Sequence, residues 1–223
     1  MRWIQHFDLF LLDMDGLLVD TEKLHFQAYQ TLCSHHDKEL PWDFTGYLEV
    51  AHSSHDGLKK ALLPLIGKED WSSLYALKKK IYEGFLTKGK LELMPGVEAF
   101  VEELGTARAK RCVVTNSTRE QADIIKQFLP VLKTIPIWIT REAYGNPKPA
   151  PDGYAKAIEV LADPGDRIVG FEDSLRGIQS LQGTHAMPVL ICNPSHPQLR
   201  SSHLEGVQHF TSFTKIPKDF RHT

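Results

Sequence analysis

A chain of 223 residues is long enough to bury a core without disulfide or metal staples, and it suits one large domain or one domain carrying an insert. Hydrophobic content of 42% and charged content of 24% are ordinary globular usage, and a net charge of −2 with no run of five like charges gives no sign of a nucleic-acid or membrane surface. Three widely spaced cysteines, with no CxxC spacing, argue against a disulfide framework or a zinc site and for a reducing compartment. The first seven residues carry no leader-like apolar segment, and no apolar stretch approaches the ~18 residues of a membrane span, so a cytoplasmic protein is expected.

The first element in the chain is the apolar run Phe7 to Leu12, read as a strand over 7–13. Short runs of this kind read as fully buried strands of a parallel sheet. A tight turn follows at Gly16. From Thr21 the period becomes helical: Leu24, Ala28 and Leu32, with Phe26, Tyr29 and Cys33, make an apolar face. Further helices are expected over 56–66 and 71–86, with Asp70 as N-cap of the second. No strand is expected between Thr21 and Lys88. Pro95-Gly96 then opens a helix through Leu104. Strand and helix alternate beyond it: strand 111–115, helix 118–129, strand 135–139, helix 151–162, strand 167–172, helix 174–182, strand 187–191. The tail after Asn193 reads as loop. This alternation predicts an α/β fold, a Rossmann-like parallel sheet core with helices on both faces. Residues 1–20 and 88–223 form that core, and residues 21–87 form an inserted all-helical cap.

Three strands end in residues able to handle a phosphate or a metal. In open α/β sheets ligands bind beyond the carboxyl ends of the strands, so these residues are expected at one sheet edge. Asp13 and Asp15, followed by Gly16, are common turn residues. An EF-hand reading fails because Leu17 stands at its fifth position. The functional reading makes Asp13 a carboxylate nucleophile and Asp15 a general acid/base, with the pair also suited to Mg²⁺. Thr115 is either a β-branched strand residue or a phosphate-binding hydroxyl. Asn116-Ser117 is either a helix N-cap or, with free N–H groups at the helix start, part of a phosphate site. Lys148 lies among Pro147, Pro149 and Pro151, which stiffen its loop and fix where its cation points. Aimed at the sheet edge, it balances carboxylates and binds phosphate. At the end of the strand over 167–172, Asp173 is read as a direct Mg²⁺ ligand and Glu172 as a direct or water-mediated one.

Asp13-Met14-Asp15-Gly16 through Thr21, Thr115-Asn116, Lys148-Pro149, and Gly170-Phe171-Glu172-Asp173-Ser174 with Gly177-Ile178 resemble the four motifs of the haloacid dehalogenase superfamily, in order. The helical insert resembles the small cap of the β-phosphoglucomutase and phosphoglycolate phosphatase branch. The resemblance implies a Mg²⁺-dependent phosphomonoester phosphatase acting on a small phosphorylated metabolite such as a sugar phosphate, through an aspartyl phosphate on Asp13. It further implies that Asp13 gives the metal a side-chain oxygen and Asp15 its backbone carbonyl, with Asp173 completing the protein ligands. An aspartate at the Asp15 position marks phosphate-transfer members rather than true dehalogenases. In the cap, Glu22, His25, His52 and Ser54 are the candidates for substrate contact, and His25 matches the mutase cap-hinge histidine in spacing. The cap cations that hold a mutase's second phosphate have no counterpart in Val50 to Asp56. Alternative readings are a phosphosugar mutase, or a weakly catalytic binding or regulatory protein on the same fold. His185 stands where many relatives carry glycine, which suggests a strained or altered helix end. A monomer, with no nucleic-acid or membrane partner, is the expectation.

Overall fold

The computed structural model describes residues 2–53, 56–67, 70–88, 91–199 and 206–221. The chain divides into two compact units. One comprises Met1–Asp20, Leu91–Pro194 and His203–Thr223, and the other Thr21–Lys90 and Ser195–Ser202.

The first unit is built on six parallel strands: β1 Leu9–Leu12, β2 Lys110–Val114, β3 Ile137–Ile139, β4 Ile168–Glu172, β5 Met187–Ile191 and β6 Gln208–Phe210. Their order is β3-β2-β1-β4-β5-β6. The chain thus winds one way from β1 to β3 and the other way from β4 to β6, which puts a topological switch point beside β1. Leu12 pairs with Val113 on one side and Phe171 on the other. That register brings the residues after β1, β2 and β4 to one edge, because Asp13, Thr115 and Glu172 stand within one or two steps of it.

Alternation along β1 sorts the two faces of the sheet. Leu9 and Leu11 join Cys112, Val114, Tyr154, Ala157 and Leu181 in one core. Tyr154 and Ala157 come from α7 (Asp152–Leu161) and Leu181 from α8 (Leu175–Gln182). Phe10 points the other way, into rings from Trp3, Phe7 and Phe100, the last from a helix over Val97–Thr106. Trp3 and Phe213 both stack on Phe100, the latter pair with centroids 4.3 Å apart. Stacked and edge-on rings at such distances add to what their burial contributes.

Four α-helices make up most of the second unit's described residues: α1 Glu22–Ser34, α2 Phe44–Ser53, α3 Gly57–Ile66 and α4 Trp71–Lys88. The Val97–Thr106 helix is α5, and α6 covers Arg119–Phe128. Tyr29, Leu32, Cys33, Tyr47, Leu48, Leu62 and Leu74 make the core of this unit. Asp70 caps the start of α4 as expected, accepting from Ser73 N at 3.0 Å.

Several expectations need correction. Helix α2 is not among the helices placed individually within the expected all-helical insert; Phe44, Tyr47, Leu48 and Ala51 hold it to the core of this unit. The tail after Asn193 contains β6, paired to β5 from Val189 to Ile191, and residues 195–199 group with the helical unit rather than the core. His185 has no left-handed backbone; among the described non-glycine residues only Asp37 and Arg108 have positive φ, so the expected strain is not there.

Candidate active site

Asp13 follows β1 directly, and its N–H bonds Phe171 O at 3.1 Å, so the sheet ladder continues up to the carboxylate. The chain then turns sharply. Leu18 N and Val19 N both bond Met14 O, and Gly16 N bonds Val19 O at 2.9 Å. The turn requires glycine at position 16: φ is +80°, and a Cβ there would stand 2.1 Å from Asp173 Oδ2. Gly16 therefore makes room for the Asp173 carboxylate. Gly177 does the same for Glu172, because a Cβ would stand 1.9 Å from the Glu172 carboxyl carbon.

Lys148 reaches into this edge from its proline-rich loop and is 5% exposed, which rules out a solvated loop lysine. Its ammonium bonds Asp13 Oδ1, Glu172 Oε1 at 2.7 Å, Val114 O at 2.8 Å and Tyr154 OH at 3.1 Å. Its backbone N–H donates to Asn116 Oδ1 at 3.1 Å. Tyr144 OH bonds the same Asn116 oxygen at 2.8 Å and Thr115 O at 2.7 Å. Asn116 is thus occupied, at its oxygen, in holding the Lys148 loop.

Asp15 turns its carboxylate to the β2 side. Its Oδ2 accepts from Ser117 Oγ at 2.6 Å and Thr115 Oγ1 at 3.3 Å. The start of α6 is already furnished with partners. Thr118 forms a capping box with Gln121, Glu142 accepts from Arg119 N at 3.2 Å, and Ser117 N donates to Thr115 Oγ1 at 3.0 Å. The N-cap is therefore Thr118 rather than Asn116 or Ser117, and these N–H groups are not open donors for a phosphate.

Asp13, Glu172 and Asp173 offer carboxylate oxygens that all lie within 4.8 Å of one another. The Lys148 ammonium bonds two of the three, Asp13 and Glu172. Burial, and next the Glu172 charge, push the Asp13 carboxyl up to about 7 despite Lys148. Burial also opposes the Lys148 charge, but Asp13 and Glu172 outweigh it and raise its pKa above the ordinary lysine value. A site with surplus negative charge gains by taking a proton or a cation. Its donors are all hard oxygens, a set that fits Mg²⁺ or Ca²⁺ rather than a softer metal. The Asp15 carboxylate lies outside this group of three. Chemically, Asp13 Oδ2, the oxygen turned away from Lys148, is the atom able to attack an electrophile.

The cap candidates belong to the helical unit. Glu22 and His52 come together, with Oε1 to Nε2 at 3.1 Å, and the His196 ring meets His52 edge-on at 5.0 Å. His25 stacks on Tyr82 at 4.0 Å and pairs through Nδ1 with Lys78 Nζ at 2.6 Å. Ser54 lies outside the described residues. Lys78 is a buried cation that sequence reasoning passes over, packed over the rings of Tyr29 and Tyr82. In the core unit it also passes over Tyr144 and Tyr154. Their apolar rings fit the helix and core pattern, and nothing in periodicity announces a hydroxyl at work. The T-x-x-Q capping box at Thr118 was legible in principle.

A family model of the haloacid dehalogenase-like hydrolases matches residues 7–183. This chain belongs to that family. It is therefore a hydrolase by family, with the four motifs expected from the sequence brought to one sheet edge. Among its relatives, the phosphorylated carbohydrates phosphatase of Thermotoga maritima is 28% identical over 175 residues, covering 76% of this chain and 78% of that protein. Protein CbbY of Cereibacter sphaeroides is 24% identical over 187 residues, covering 78% and 79%. The crystal structure of CbbY from Rhodobacter sphaeroides in complex with phosphate superposes with a TM-score of 0.76 at 20% identity, over 93% of this chain and 95% of that one, a likeness of fold. Among the described residues no helix is long and apolar enough to cross a membrane.

Proposed function

We propose that this hydrolase is a Mg²⁺-dependent phosphomonoester phosphatase for a small phosphorylated metabolite, such as a sugar phosphate, working through an aspartyl phosphate on Asp13. The observation that carries the reading is the buried Lys148 bonded to both Asp13 and Glu172, beside the Asp13, Glu172 and Asp173 carboxylates. A purely structural salt bridge has no use for two buried carboxylates on one ammonium, since the surplus buried charge is costly. The likeness to the phosphorylated carbohydrates phosphatase of Thermotoga maritima supports the substrate class.

In this mechanism Lys148 holds Asp13 Oδ1, so Oδ2 faces the phosphorus and attacks it. Asp13, Asp173 and Glu172, with the Asp15 backbone carbonyl as the family resemblance implies, would hold Mg²⁺, which would supply positive charge against the phosphoryl oxygens. Asp15 acts as general acid toward the leaving oxygen and then as general base toward the water that cleaves the acyl phosphate. Thr115 and Ser117 offer their hydroxyls, now donated to Asp15, to a phosphoryl oxygen. Asn116 contributes mainly by fixing Lys148. The helical unit serves as the cap, with Glu22, His25, His52 and Ser54 as its candidates for substrate contact. Three free cysteines fit a cytoplasmic setting.

The test is phosphate release from a panel of phosphorylated metabolites and p-nitrophenyl phosphate with Mg²⁺. Asp13→Asn serves as control: it keeps the shape and removes the attacking charge, so turnover should vanish while the fold survives. Wild-type turnover in Asp13→Asn would sink the mechanism.

A further inference from the structure

Tyr154 has no part in the reaction described above, yet it sits at the centre of the site. Its side chain is fully buried among Leu9, Leu11, Val114, Ala157 and Leu181, where phenylalanine would fill the same space without a polar group to satisfy. The hydroxyl has two partners. It donates to Glu172 Oε1 at 2.6 Å and lies 3.1 Å from Lys148 Nζ, and that ammonium also stands 4.7 Å from the centre of the tyrosine ring.

Lys148 has three N–H donors, and four acceptors compete for them: Asp13 Oδ1, Glu172 Oε1, Val114 O and Tyr154 OH. By donating to Glu172 Oε1, the tyrosine meets part of that oxygen's demand, and the lysine keeps its bond to Asp13. The same bond ties down one glutamate oxygen. It leaves Oε2, whose contact with Ser174 Oγ is long at 3.4 Å, as the less firmly bonded oxygen.

We propose that Tyr154 is a positioning residue: its hydroxyl divides Lys148 between Asp13 and Glu172 and orients the Glu172 carboxylate toward a bound cation. The kinetic side of this rests on the phosphatase reading; the metal-binding side does not. Groups that orient a metal's ligands from outside the coordination sphere are worth roughly 10- to 100-fold in affinity or activity.

The experiment compares Tyr154→Phe with Tyr144→Phe, whose hydroxyl serves Thr115 and Asn116 and has no bond to Glu172. Three quantities are read: Mg²⁺ affinity by calorimetry without substrate, kcat and KM on the best phosphomonoester, and the unfolding midpoint in chelator. Tyr154→Phe should fold, bind Mg²⁺ roughly 10-fold more weakly and lose kcat to a similar extent, with KM unchanged. Tyr144→Phe should keep wild-type Mg²⁺ affinity. Wild-type Mg²⁺ affinity in Tyr154→Phe overturns the proposal, as does equal weakening in both variants, which would mean general loosening. A Tyr154→Phe chain that does not fold also overturns it, by making the hydroxyl structural. Should the wild type hydrolyse no phosphomonoester, the phosphatase reading fails while the calorimetry still decides the role of Tyr154.

Discussion

Lys148→Met keeps most of the side-chain volume and removes one charge from a sealed site. The lysine side chain is 6% exposed, that of Asp13 10% and that of Glu172 1%. Taking away one partner of a buried ion pair costs about 3–5 kcal/mol, because the remaining charge is left uncompensated. Here two carboxylates are left, and Val114 O and Tyr154 OH each lose a donor. The carboxyls have one escape, which is to bind protons. Asp13 is already pushed from the ordinary 3.8 up to about 7, chiefly by burial, and losing Lys148 pushes it further. A carboxyl raised in the folded chain binds more protons folded than unfolded. Its contribution to stability is therefore whole below about pH 4 and is lost as pH rises through about 7. The stability gap between wild type and Lys148→Met should thus sit near the low end of that range at pH 5 and near the high end at pH 8. Urea unfolding in chelator at both pH values measures it. In the reaction the same variant loses a preorganised positive charge, about 2.7–4 kcal/mol, or roughly 10²- to 10³-fold in kcat. A gap that does not widen with pH, together with unchanged kcat/KM, would refute the reasoning.

Chelator should abolish phosphate release and Mg²⁺ restore it, whereas Ca²⁺ should inhibit, because it accepts both oxygens of a carboxylate and would misdirect Asp13; full activity in excess chelator would rule out the carboxylate site. Mg²⁺ should raise the unfolding midpoint more at pH 8 than at pH 5, since its ligands must shed protons to bind it, and a thermal shift independent of pH would contradict a raised Asp13 pKa. Gly16→Ala should cost at least about 1–2 kcal/mol for the left-handed backbone and should weaken Mg²⁺ binding by displacing Asp173, as calorimetry would show. Given β-glucose 1-phosphate, Mg²⁺ and a trace of the 1,6-bisphosphate, the enzyme should release phosphate faster than it forms glucose 6-phosphate, because residues 45–56 offer no lysine or arginine to hold a second phosphate. Faster isomerisation would favour the mutase.

What the sequence determined by itself was the set of strands and what stands at their ends. Burial on both faces makes a parallel strand apolar along its whole length, so the runs ending at Leu12, Val114 and Phe171 announce themselves, and the polar residues after them announce a site. Periodicity also marked α1 and α4, since a helix with one buried face must repeat apolar residues near every fourth position. It did not reveal α2, which is held by packing of Tyr47 and Leu48, or β6, which is three residues long and held by pairing with β5. Tertiary structure alone decided how the charges divide. Lys148 and Asp13 are 135 positions apart, so their bond, the sharing of that lysine with Glu172, and the tyrosine hydroxyl between them depend on distances of a few ångströms. No one-dimensional pattern carries such distances. The space Gly16 leaves for Asp173 was hidden for the same reason: a glycine at a turn looks alike in sequence whether it serves only the turn or also a carboxylate from a strand that neighbours its own only in the folded sheet.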